Sequence, residues 1–233
     1  MRIYIIRHAD PDYANHTITA AGHKEAKALA ERLKLEGIDR IFSSPVPRAV
    51  HTMQYTSRLL EIEPVFEPWM AELEGWHVTG EDGQSRAAWN VDGEIVRGLE
   101  RRQVDEWHRF GPFAGGDFHS KNALLTDNSD RFMQSLGYAR EGGRYRIIKR
   151  NGDKIAVFCH LGFGLTWISH LLGLPVPTVW TGFWKAPSSV TTLLMDERSE
   201  QWAVPRLLAL GDTSHLHASG LPISKQGIFA NFD

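Results

Sequence analysis

Four side chains stand where a phosphoryl group could be held. Arg7 and His8 close the apolar run Ile3-Tyr4-Ile5-Ile6. Arg48 follows Ile38-Asp39-Arg40-Ile41-Phe42-Ser43 by a few residues, and His160 closes Lys154-Ile155-Ala156-Val157-Phe158-Cys159. Arginine offers planar, charge-assisted and often bidentate donors to phosphate oxygens. Arg48 adds a separate sign: it falls in the first turn of a helix, where the macrodipole disfavours a cation by on the order of 0.5 kcal/mol. A bound anion removes that penalty and uses the helix N-terminus as well.

Histidine in such a pocket can do more than bind. Neutral imidazole keeps a lone pair on one ring nitrogen, and a pKa of about 6.5 populates that form at neutral pH. If a backbone carbonyl holds the other nitrogen as a donor, the lone pair can attack phosphorus and leave a phosphohistidine for water to hydrolyse. A second histidine and two arginines would stabilise charge on the equatorial oxygens.

These residues converge only if the elements before them are parallel neighbours. Ile3 to Ile6 reads as a strand buried on both faces, stopped by Asp10-Pro11-Asp12. Thr19 is placed to cap a helix running to about Leu35, with Ala26, Leu29, Ala30 and Leu33 as its apolar stripe and Gly37 as its end. Gly22, in that helix's first turn, points to a close backbone approach. A second strand ends at Ser43, and Ser44 and Pro45 suit the cap and first position of a second helix through about Leu60. Strand, helix, strand, helix argues for parallel pairing with right-handed crossovers. The prolines around Val65-Phe66 clip that stretch, read as a short third strand, to a sheet edge or a strand end.

From residue 75 to about 140 the pattern changes to loop, a helix predicted from Glu94 to Phe110, and a weaker helical signal from Leu124 to Leu136. Asn151-Gly152-Asp153 between two apolar runs predicts a hairpin. Val190 to Met195 and Trp202 to Leu210 read as further strands, and the stretch from Ser214 reads as an irregular tail. The expected architecture is one α/β domain over residues 1–233. It is a three-layer sandwich with a mostly parallel central sheet, helices on both faces, and a helical insertion at about 75–140 over the active end. In such sheets ligands bind at the carboxyl ends of the strands.

A net charge of −2, with 42% hydrophobic and 23% charged residues, argues against a nucleic-acid or membrane-surface partner. The single Cys159 leaves no internal disulfide and fits a reducing compartment. The N-terminal residues lack signal-peptide features and no run is long enough to span a bilayer, so a cytoplasmic location is expected.

The motifs fall in a known order. Arg7-His8-Ala9 resembles the Arg-His-Gly signature of the histidine phosphatase, or phosphoglycerate-mutase-like, superfamily. Further matches are Ile18-Thr19-Ala20-Ala21-Gly22-His23-Lys24-Glu25-Ala26, Ser43-Ser44-Pro45-Val46-Pro47-Arg48-Ala49, Phe158-Cys159-His160-Leu161-Gly162 and Gly211-Asp212-Thr213-Ser214-His215-Leu216. The resemblance implies His8 as nucleophile, with Arg7, Arg48 and His160 completing the phosphate pocket. Its general acid is a carboxylate within Met70-Ala71-Glu72-Leu73-Glu74-Gly75, where Glu72 fits best and Glu74 is the alternative. Asn15 lies where many members place a polar phosphate contact. Two positions depart from the pattern: Ala9 and Leu161 replace glycines, and either could narrow the pocket or tilt its loop.

The implied function is a metal-independent phosphatase that needs no cofactor and acts on small phosphorylated metabolites through a phosphohistidine at His8. A phosphoglycerate mutase and a non-catalytic phospho-ligand binder are the alternatives. Rival constellations are weaker. Cys159 and His160, as strand neighbours, point to opposite faces, and His215 with His217 lacks further ligands at a metal-binding spacing. The insertion is best placed to choose the substrate. Arg86, Arg101 and Arg102 are its candidates for meeting a second anionic group, against a plainer reading as surface charge.

Overall fold

A computed structural model describes residues 1–80 and 82–228. The chain runs through β1 (Arg2–Arg7), β2 (Pro11–Asp12), β3 (Thr17–Ile18), α1 (Ala20–Glu36), β4 (Arg40–Ser43), α2 (Pro47–Leu60) and β5 (Val65–Phe66). Next come β6 (His77–Thr79), β7 (Ser85–Ala87), α3 (Gly93–Arg97), α4 (Arg101–Asp105) and α5 (Phe118–Ser135). The remainder is β8 (Tyr138–Glu141), β9 (Arg144–Ile147), β10 (Lys154–Cys159), α6 (Leu161–Leu172), α7 (Val176–Gly182), β11 (Val190–Asp196), β12 (Trp202–Asp212) and α8 (Ser214–Ala218).

An 8-stranded sheet has the order β5-β4-β10-β1-β11-β12-β9-β8. The half holding β5, β4, β10 and β1 is parallel throughout. Beyond β1 the pairings are antiparallel, so β11 and β9 run against the other six strands. The sheet is therefore mixed in pairing and mostly parallel in strand direction. Alternation along β1 divides the core. Tyr4 and Ile6 pack with Leu29, Leu33 and Met53 of α1 and α2, whereas Ile3 and Ile5 join Phe163, Leu165 and Trp167 of α6 on the other face. Trp76, Val96, Trp107 and Phe113 extend the second cluster, so residues 76–113 share a core with one face of the sheet. Edge-on contacts such as Trp107–Trp180, with centroids 5.3 Å apart, fix the orientation of these rings.

Local signals are realised in α1. Thr19 accepts from the Gly22 amide, Gly37 adopts a left-handed conformation at the C-terminus, and a Cβ on Gly22 would fall 2.5 Å from the Asp10 carbonyl oxygen. Other expectations are corrected. Helix α2 starts at Pro47 with Val46 as its N-cap, because the Ser44 hydroxyl is drawn to His160 at 2.8 Å. The stretch 94–110 breaks into short helices at Gly98, and the Gln103 side chain accepts from the Glu100 amide to start α4 afresh. The hairpin predicted at Asn151-Gly152 does not form. Strand β9 pairs with β8 through the Gly142-Gly143 turn, while β10 enters the sheet between β4 and β1. Asn151 instead donates to the Leu136 carbonyl and accepts from the Asp153 amide, which makes it a loop anchor.

Candidate active site

The register of the parallel strands places Arg7 opposite Cys159 and Phe158 opposite Ser43. Three strand ends thus bring Arg7, His8, Ser44 and His160 to one edge of the sheet. Arg7 is buried, with Nη1 donating to the Lys185 carbonyl at 2.7 Å and Nη2 to the Gln226 carbonyl at 2.9 Å. These bonds orient the guanidinium without neutralising it: Arg7 forms no ion pair with a described carboxylate.

The His8 ring is equally buried. Its Nδ1 lies 2.8 Å from the Ala9 carbonyl oxygen. A carbonyl can only accept, so Nδ1 carries the proton and Nε2 keeps the lone pair. Burial, and then the charges of Arg7 and Arg48, hold the His8 pKa well below 6.5. The neutral ring required of a nucleophile is the native form.

The His160 ring lies behind His8, with centroids 5.3 Å apart. Burial, His8 and the two arginines depress its pKa well below 6.5 as well. The Ser44 hydroxyl oxygen accepts from the Val46 amide, so its hydrogen is available to His160 Nε2. In that arrangement Nδ1 of His160 carries the proton, as a buried nitrogen with no partner.

Arg7, His8, Tyr13, Arg48, Glu72, Trp89, Asn90, Leu161, Gln226 and Gly227 line a cavity of about 250 Å³. Arg48 occupies the first turn of α2, a helix end with no side-chain cap, and lies over the Tyr13 ring at 5.5 Å. It too has no described carboxylate partner. Two unpaired guanidinium groups, a helix N-terminus and a neutral imidazole make a site for a tetrahedral oxyanion.

Glu72 shares this cavity. Its carboxylate accepts from the Phe163 and Gly162 amides at 2.8 and 3.2 Å and so caps α6, whose own N-cap residue His160 offers no side-chain bond. Glu74 is exposed, because the chain turns at Gly75 (φ 72°) instead of running extended. Asn15 stands outside the cavity on an exposed turn, its amides bonded to Asp12.

The departures from glycine are absorbed. The buried Ala9 methyl packs with Ile18 and Ala26, and its backbone is outside the left-handed region. Leu161 is buried against Gly227 and lines the cavity. Cys159 lies in the core with Ile155 and Val157, and burial pushes its thiol up to about 11. Among the described residues no cluster of His, Cys, Asp or Glu has the make-up of a metal centre.

Sequence reasoning missed three supports. Thr52 lies one helical turn beyond Arg48. Its hydroxyl accepts from the Ala9 amide at 2.9 Å and donates to the Arg48 carbonyl at 2.8 Å, tying β1 to α2. The four-residue spacing from Arg48 was the available signal. Tyr13 and the tail residues Gln226 and Gly227 carried none, since both reach the cavity through loops.

The fold is that of an α/β protein with a cavity lined by two arginines and a histidine at its strand ends. Residues 3–109 match the model of the histidine phosphatase superfamily, branch 1. It is 24% identical over 197 residues to an adenosylcobalamin/alpha-ribazole phosphatase of Salmonella typhi, covering 77% of this chain and 84% of the relative. The fold is similar to that of a phosphoserine phosphatase mutant of Entamoeba histolytica solved with phosphoserine. That likeness has a TM-score of 0.62 and 18% identity, over 92% of this chain and 98% of that one. A mycobacterial glucosyl-3-phosphoglycerate phosphatase is also similar, with a TM-score of 0.58 and 18% identity over 90% and 98% of the two chains. No helix among the described residues is long and apolar enough to cross a membrane.

Proposed function

We propose that this protein is a metal-independent phosphatase that hydrolyses phosphate monoesters through a phosphohistidine at His8. One observation carries the reading: the Nδ1 bond to the Ala9 carbonyl leaves the Nε2 lone pair on a neutral ring beside two unpaired arginines. In the first step Nε2 forms a bond to phosphorus while the bond to the ester oxygen breaks. The departing electron pair takes a proton from the Glu72 carboxyl. In the second step water attacks phosphorus, its proton passes to Glu72, and the phosphorus–nitrogen electrons return to Nε2. Arg7, Arg48 and the Nδ1–H of His160 meet the equatorial oxygens, where charge develops.

Turnover of a generic aryl phosphate in the presence of excess chelator, with an acid-labile, base-stable label trapped on His8, is the expected result. His8→Ala removes both signals. Strong inhibition by the chelator overturns the metal-free step. Interconversion of 3- and 2-phosphoglycerate without phosphate release replaces the reading with a mutase. Stabilisation by phosphate with no turnover replaces it with a binder.

A further inference from the structure

Beside the phosphate cavity lies a second, larger cleft of about 780 Å³. The two share Trp89, Asn90, Leu161 and Gly227, so one continuous surface leads from His8 into it. It is lined by β7 with the following Trp89 and Asn90, and by the end of α7 with Phe183 and Trp184. Leu161 and Leu165 form its floor, and the buried Trp180 backs it. Trp89 stands at the junction. A Cβ on Gly162 would lie 2.6–2.8 Å from three atoms of its fused ring, so the indole face is laid on the start of α6.

The charges in the cleft are already spent. Arg86 pairs with Asp82 at 2.6 Å and with Asp92 at 3.3 Å. Arg101 and Arg102 do not line it and pair on the surface with Asp105 and Glu106. Gln84, Ser85, Asn90 and Thr181 are its uncharged hydrogen-bonding groups. Among the described lining residues a leaving group with a second phosphate or a carboxylate would meet one cation, Arg86, which is already paired; the Arg97 guanidinium beside Gly182 lies outside the lining. A flat ring would find indole and phenyl groups among the lining residues, together with neutral polar side chains.

We infer that the cleft takes the leaving group, and that the preferred substrate is a monophosphate ester of an uncharged, ring-bearing alcohol. This rests on the phosphatase reading above. It assigns Trp89, Phe183 and Trp184 as the residues that select the substrate, separate from the groups that hold the phosphoryl.

The test compares primary alkyl phosphates of similar leaving-group acidity: 2-(2-naphthyl)ethyl phosphate, propyl phosphate and 3-phosphoglycerate. The expected kcat/KM for the naphthyl ester exceeds that for propyl phosphate by at least about tenfold, and 3-phosphoglycerate is the poorest of the three. Ser85→Trp, on an exposed strand position facing the cleft, and Phe183→Ala should each collapse the naphthyl-to-propyl ratio by about tenfold or more. Circular dichroism and melting temperature of each variant show that it is folded. Equal use of the three esters, a preference for 3-phosphoglycerate, or a ratio unmoved in both folded variants overturns the inference and leaves the phosphatase standing. Failure to hydrolyse any of the esters overturns the phosphatase reading itself.

Discussion

The Nδ1–H of His8 is donated to the carbonyl oxygen of Ala9, its own neighbour in the chain, at 2.8 Å. The bond fixes the tautomer within two residues, and burial keeps the ring neutral. His160 is held neutral in the same way. The unfolded chain titrates these rings at about pH 6.5, whereas the native pKa values lie well below that. As acid is added, the unfolded state takes up the protons first. Stability is complete above pH 6.5 and falls below it, by about 1.4 kcal/mol per pH unit for each histidine. Urea unfolding between pH 7 and 5 should show this slope, and His160→Asn should remove one histidine's share. A stability independent of pH over that range contradicts the neutral assignment.

Thr52 links the two halves of the anion site. Thr52→Val leaves the Ala9 amide buried without an acceptor, at a cost of about 1–3 kcal/mol. It also frees the turn that aims His8, so kcat/KM should drop roughly 10- to 100-fold. Thr52→Ser should recover most of both losses, which a purely steric role would not permit.

Ala9 gives a prediction opposite to the one its departure from glycine suggests. Its methyl is buried and its backbone unstrained, so Ala9→Gly removes packing and adds unfolded-state freedom. The expected outcome is a loss of about 1–2 kcal/mol in stability, with no large gain in turnover. A large rise in kcat would show that the native turn holds His8 badly.

Gly162 and Trp89 should be energetically coupled. A methyl at residue 162 would lie about 2.6 Å from the indole. Gly162→Ala alone should cost on the order of 1–3 kcal/mol by overpacking. The same substitution in a Trp89→Ala background should cost far less. A thermal-denaturation double-mutant cycle measures the difference, and additivity of the two changes would show that the ring has room to move.

Much of this protein could be read locally. Ile3 to Ile6 had to be a buried strand, Thr19 and Gly37 bracketed a helix, and Gly22 declared a close contact that proved to be the Asp10 carbonyl. Arg7, His8, Arg48 and His160 were legible because each lies at a strand end or within a few residues after one, so chain position predicts the end of the sheet they occupy. Most of the failures are non-local. Ser44 looked like a helix cap, but a histidine 116 residues away claims its hydroxyl. Asn151-Gly152 had the composition of a hairpin, yet β9 found its partners on the far side of the sheet. Glu74 fell out of the site because Gly75 turns the chain, and the tail reached Arg7 through a backbone carbonyl, which no side-chain pattern encodes.

The position of β10 has a consequence for how activity arises during synthesis. Strands β1 and β4 do not pair; each hydrogen-bonds to β10, which leaves the ribosome more than a hundred residues after them. Until then Arg7, His8 and Arg48 sit at or just after the ends of two strands that share no sheet hydrogen bonds, and Gln226 is not yet translated. Catalysis is therefore silent through most of translation and switches on only with the last long-range closures. Recovery of turnover on refolding should accordingly lag the recovery of helical signal.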